Sequence, residues 1–257
     1  VQLIDGSGIF IFTDDGFAGK ASVGLDIAGS EEISFEGTFG FAFNTTQEAI
    51  DRRVTVGGES VSLLLPEGSY TRVSGTDVRL EVFGQSIAGN FSLEKNDSGI
   101  RGGMSGVEVF LGTGAGTENE KGFRISEGRG ALLITDAGVA LEASGAIALV
   151  GFSDFSLTAE RLSVQVNTSN TAVSEEIATG EYDDDDAAVM VALAVEANTF
   201  RFSGDDVALT VAGVTLSGSF AVERFTETTA DLDPVSAELV LVERTVLVLA
   251  ISDFNAD

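Results

Sequence analysis

Along most of the chain, apolar side chains alternate with small or polar ones. Residues 33–44 read ISFEGTFGFAFN, with Phe at 35, 39, 41 and 43. A period of two places successive side chains on opposite faces of a β-strand. No stretch sustains a period of 3.6, and dense glycine and β-branched residues oppose long helices. Strands are predicted over 8–13, 17–27 and 33–44, with a hairpin signal at Asp14-Asp15-Gly16. The same plan returns at 130–135, 139–150 and 155–167, turned by Asp136-Ala137-Gly138. Between strand sets, residues 47–73 read as a connector, one strand near 54–65 and a Pro66-Glu67-Gly68 turn. The phenylalanines of these strands, Phe10, Phe12, Phe17, Phe41, Phe155 and Phe200 among them, are expected in the core.

The chain repeats itself. Residues 74–95 (SGTDVRLEVFGQSIAGNFSLEK) align without a gap on 203–224 (SGDDVALTVAGVTLSGSFAVER), with 10 of 22 positions identical. Such self-similarity marks tandem duplication of one structural unit. Asn44-Thr45-Thr46 matches Asn167-Thr168-Ser169 at an offset of 123, and the twin stretches match at 129. The second copy therefore holds about six extra residues (129 − 123), assigned to a surface loop near 171–186. A further strand is expected after each twin stretch, at 106–111 and 237–242. The predicted organisation is a β module over 1–112, a Gly- and Thr-rich linker over 113–122 and a second module over 123–244. Residues 245–257 are expected to open a third unit or to be exchanged with a neighbour. The fold class is all-β: two tandem antiparallel modules, each a sandwich or open-barrel meander. A β-solenoid is the alternative.

Charge narrows the partners. The 257 residues carry 41 acidic and 14 basic side chains, for a net charge of −27. Nucleic acid is excluded as a partner by the lack of clustered Lys and Arg. Without Trp and with two Tyr, the chain has no aromatic girdle for membrane insertion. The chain contains no Cys and no His, which removes disulfides, thiolate nucleophiles and the Ser-His-Asp triad. No phosphate-cradling loop or nucleophile elbow is present, so no enzymatic activity is expected.

An excess of carboxylates calls for cations, and Ca²⁺ takes hard oxygen ligands that turns bring together. The candidate ligands are Asp14, Asp15, Asp77, Asp136, Asp205 and Asp206 beside glycines, and the run Asp183, Asp184, Asp185 and Asp186. The competing reading is that an Asp at a turn bonds its own backbone and that the run is a solvated patch. Asn44, Asn90, Asn96 and Asn167 stand in N-x-S/T sequons; the bland reading of Asn44-Thr45-Thr46 is that it ends a strand.

The twin stretch, with FAFNTT at 41–46 and LLLPEGSYTRVSG at 63–75, resembles a β-repeat found many times over in very large secreted bacterial proteins. The resemblance implies a non-catalytic, repetitive protein outside the cell or on its surface. The second copy departs from it at 170–200, where LLLPEGSYTRV has no clean counterpart. The expected function is a structural segment of a filament, surface layer or adhesin stalk, self-associating or joined to neighbouring repeats by β-strand addition. The alternative is a glycan- or protein-binding module using loops 171–186 and 112–122.

Overall fold

A computed structural model describes residues 2–30, 33–115, 117–153, 155–183, 187–232 and 239–257. The described chain is all-β and antiparallel throughout. Its first eight strands are β1 (Gln2–Thr13), β2 (Gly16–Ser30), β3 (Ile33–Asn44), β4 (Ile50–Val56), β5 (Glu59–Leu65), β6 (Tyr70–Val82), β7 (Gln85–Asn96) and β8 (Gly99–Thr113). The second eight are β9 (Lys121–Thr135), β10 (Gly138–Val150), β11 (Phe155–Asn167), β12 (Val173–Tyr182), β13 (Ala188–Val195), β14 (Thr199–Val211), β15 (Val214–Leu232) and β16 (Leu239–Ala256). Twelve of them form one sheet in the order β1-β2-β3-β6-β7-β8-β9-β10-β11-β14-β15-β16. The pairs β4–β5 and β12–β13 are separate hairpins.

Each copy thus has the same plan: three sheet strands, an excursion hairpin, three sheet strands. The copies meet in register-paired strands, β8 on β9, from Ile100↔Ile134 to Thr113↔Lys121. Of the expected linker, residues 121 and 122 belong to β9 and residue 113 to β8. The final segment is likewise part of the sheet, because Leu216↔Ala256 through Leu232↔Leu239 pair β16 with β15. The counterpart of β8 is therefore β16. Asn90 pairs with Ser105 and its equivalent Ser219 pairs with Ser252, so Gly106 corresponds to Asp253 and not to residue 237. The β15–β16 hairpin is simply longer.

Small side chains on one face of the sheet make room for the hairpins. Ala18 and Ala42 lie under Ile50, Leu63 and Leu65 of the first. Ala131, Leu133 and Ala140 lie under Ile177, Leu193 and Val195 of the second. Leu63 and Leu193 are wholly buried, and removing either side chain to Ala costs about 2–5 kcal/mol by the usual transfer and cavity effects. The strand expected at 54–65 is in fact two, split by Gly57 and Gly58 with φ of +61° and +90°. A two-residue turn with both φ positive is the hairpin turn that glycine favours. LLLPEGSYTRV also has a counterpart after all: β13 and the start of β14 repeat its path, with Asn198 standing where Gly68 does and both backbone N–H groups donating to the strand-end segment (Gly68 to Thr46 O, Asn198 to Ser169 O).

The opposite face departs from expectation most. Ala42 faces the first hairpin, so Phe41 and Phe43 point the other way, and the register carries this face across the sheet through Leu93, Leu132 and Val164. Phe10, Phe12, Phe17, Phe41, Phe155 and Phe200 are exposed on it. Phe10, Phe17 and Phe41 each lie against the Phe43 ring, Phe17 at 5.2 Å between ring centres, instead of filling a core. The buried core lies under the hairpins, where alanines and leucines meet.

Candidate functional site: the acidic bulge row and the free sheet edges

Apart from one at Ala28/Ser30 between β2 and β3, the register breaks of the sheet lie in a single row. They fall at Ile4/Ser7 in β1, Glu36/Thr38 in β3, Gly75/Val78 in β6, Met104/Val107 in β8, Ser144/Ala146 in β10, Gly204/Val207 in β14 and Ser217/Ser219 in β15. A bulge needs one residue that tolerates an unusual backbone. That residue is Asp5, Asp77, Glu127, Asp206 or Asp253, with φ between 47° and 53°, or Gly106 at 57°. Asp, which holds four of these positions, is among the few residue types that accept the left-handed region. The N–H of Asp77 donates to Asn90 Oδ1 at 2.8 Å, and that of Asp206 to Ser219 Oγ at 3.1 Å.

The sequence-predicted ligands are accordingly scattered. Asp14 and Asp15 turn β1 into β2, and Asp136 turns β9 into β10. Asp77 and Asp206 are mid-strand bulge residues, not strand-end ones, and six strand steps of about 4.8 Å, roughly 29 Å, separate them. Asp205 precedes the bulge and is exposed. Asp183 closes the tip of the second hairpin: its Oδ1 accepts from the Ala187 N–H at 2.9 Å. Asp184, Asp185 and Asp186 lie outside the described residues. Among the described residues no three acidic side chains stand close enough together to hold one metal ion.

Two residues of another kind proved structural. Asn44 and Asn167 are buried, and every polar atom of each amide is engaged. Asn44 Nδ2 donates to Glu48 O and Pro66 O, while its Oδ1 accepts from the Thr46 N–H and hydroxyl. Asn167 repeats the set with Thr171 O, Val195 O and Ser169. These amides tie the root of each hairpin to the sheet and leave no nitrogen free for a glycan. The signal was present in the exact repetition of Asn-Thr before an apolar segment.

Residues 173–182, expected in a surface loop, are strand β12. Its outer half crosses the joint between copies and lies on β6, β7 and β8. Thr76 Oγ1 donates to Gly180 O at 2.7 Å, and Ser105 Oγ to Glu181 Oε2 at 2.6 Å. Arg101 and Glu175 pair at 3.0 Å. Gly180 fits because it has φ of +86° and no side chain; a Cβ there would stand 2.1 Å from Phe91 O. Beside this arm a groove of about 610 Å³ is lined by Glu127, Arg129, Glu142, Arg161 and Glu181. In the first copy, burial pushes the Tyr70 hydroxyl well above the usual phenol range, Arg72 opposing and Glu94 adding to the shift.

The two outermost strands, β1 and β16, each have one edge without a partner in the described chain. The unpaired backbone donors and acceptors of such an edge are a template for another strand. No protein family, curated protein or solved structure matches the chain.

Proposed function

We propose that the protein is a non-catalytic structural repeat segment of an extracellular assembly, a filament, surface layer or adhesin stalk, that grows by β-strand addition. The observation that carries this reading is the β8–β9 joint. Two copies of one unit already share a continuous sheet through it, so the unit's own edge strands are shaped to meet another unit. The long arm of β12 supports it further, as a clasp that makes adjacent units one body. Electron microscopy of the purified chain over a range of concentrations tests the reading. Ribbons or fibres that lengthen with concentration are expected. Particles of single-chain mass at every concentration overturn it.

A further inference from the structure

We infer that the free edge of β16 takes the free edge of β1 from a second copy of this chain, antiparallel and in the register of the β8–β9 joint. The inference rests on the scaffold reading and names its partner and geometry.

The internal joint is the template. β9 corresponds to β1 at an offset of 122 (127 − 5), and β8 to β16 at 147 (253 − 106). Within the chain Ile100 faces Ile134, Gly102 faces Leu132 and Met104 faces Gly130. The same register places Leu247 opposite Phe12, Leu249 opposite Phe10 and Ile251 opposite Gly8 of the incoming copy. Every one of these large side chains is exposed, Phe12 by 81% and Leu247 by 70%. The match puts apolar against apolar on the same open face.

Each edge strand keeps one bulge, at Asp5 and at Asp253, and β16 carries Glu243 and Arg244 near its start, but the stretches beside them are bare. Residues 245–252 (TVLVLAIS) and 6–13 (GSGIFIFT) contain no charge and no proline, whereas edges that must stay free are blunted by Lys, Pro or inward charges. These two uncharged stretches are the ones the register brings together.

Gly6 gives an independent indication. Its counterpart Gly128 is required by the neighbouring strand, because a Cβ there would come 2.8 Å from Val107 Cβ on β8. At Gly6 a Cβ would meet nothing within 4 Å. The glycine clears space for a side chain that the chain itself does not supply. In the inferred joint Phe254, the counterpart of Val107, fills it.

Disulfide trapping tests the register, and the absence of native Cys makes the readout clean. Directly opposed residues bring Cβ atoms about 4.5–5.5 Å apart, close to disulfide range. A chain with Phe12→Cys is mixed with one carrying Leu247→Cys and oxidised; Phe10→Cys with Leu249→Cys is the second pair. Heterodimers are expected at least tenfold above those from Phe12→Cys with Leu241→Cys, six residues or about 20 Å out of register. Gly6→Val, added to the Phe12→Cys chain, is expected to cut the yield at least tenfold while leaving the melting temperature of the isolated chain unchanged. Homodimers alone, or no cross-link above the control, overturn the inference. So does a chain bearing both cysteines that closes only on itself. Fibres that form without these cross-links refute the register and leave the scaffold reading standing; single particles without cross-links refute both.

Discussion

The two excursion hairpins share an anchor and differ in reach. Each is rooted by a buried asparagine and pinned by one wholly buried leucine, Asn44 with Leu63 and Asn167 with Leu193. The first stops after seven residues in each strand and covers only its own copy. The second runs on to Tyr182, and its added length lies across the neighbouring copy. With its extra residues the second hairpin is a clasp over the joint, where the first is a lid on its own copy. The lesson is that extra residues in one repeat need not be a decorated loop; here they extend a strand.

The largest effect should come from the leucines. Leu63→Ala and Leu193→Ala are each expected to lower unfolding stability by about 2–5 kcal/mol in denaturant titration. Equal losses would mean that the two anchors are equivalent; a smaller loss at Leu193 would show that the clasp contributes independently of the anchor. Next, Asn44→Ala and Asn167→Ala remove the amide that satisfies the hairpin root, at about 1–3 kcal/mol in the same titration. Glycosylation at either position in the folded protein would contradict their burial.

The hairpin tips then separate the two arms. Gly180→Ala is expected to lift the β12 arm from β7, with loss of hydrogen-exchange protection at residues 178–182 and roughly 1–3 kcal/mol of stability. Gly57→Ala, at a turn where a Cβ meets nothing within 4 Å, carries backbone strain alone, about 1 kcal/mol. Equal effects would remove the distinction between lid and clasp. The smallest effect concerns pH. Folding raises the Tyr70 pKa, so the folded state holds its phenolic proton more tightly than the unfolded chain does. That stability is complete below the unfolded value of about 10 and falls as pH rises beyond it. Tyr70→Phe should flatten the alkaline loss in a melting series between neutral pH and pH 11, and an unchanged slope would assign the loss to other groups.

The strands were legible because a period of two survives without tertiary information. Residues 33–44, predicted as a strand, are β3 to the residue. The split at Gly57-Gly58 was missed, because apolar residues on either side of the two glycines read as one continuous strand. Asp77 and Asp206 show a different case. An Asp beside a glycine suits a turn, a metal site or a bulge equally well, and only the register against β7 and β15 selects the bulge. The exposed phenylalanines are similar: alternation separates the two faces of a strand and cannot say which face is covered.

The sequence by itself determined that the chain is built of antiparallel strands and that one unit occurs twice, because alternation and self-similarity are local and additive along the chain. Only the tertiary structure decided that the copies fuse into a single sheet, that the hairpins cover its face of small side chains, and that β16 ends the second copy as β8 ends the first. Those outcomes depend on strand register and on which small side chains let a hairpin approach. Both are relations between residues far apart in the chain, set by packing and hydrogen bonding across the sheet.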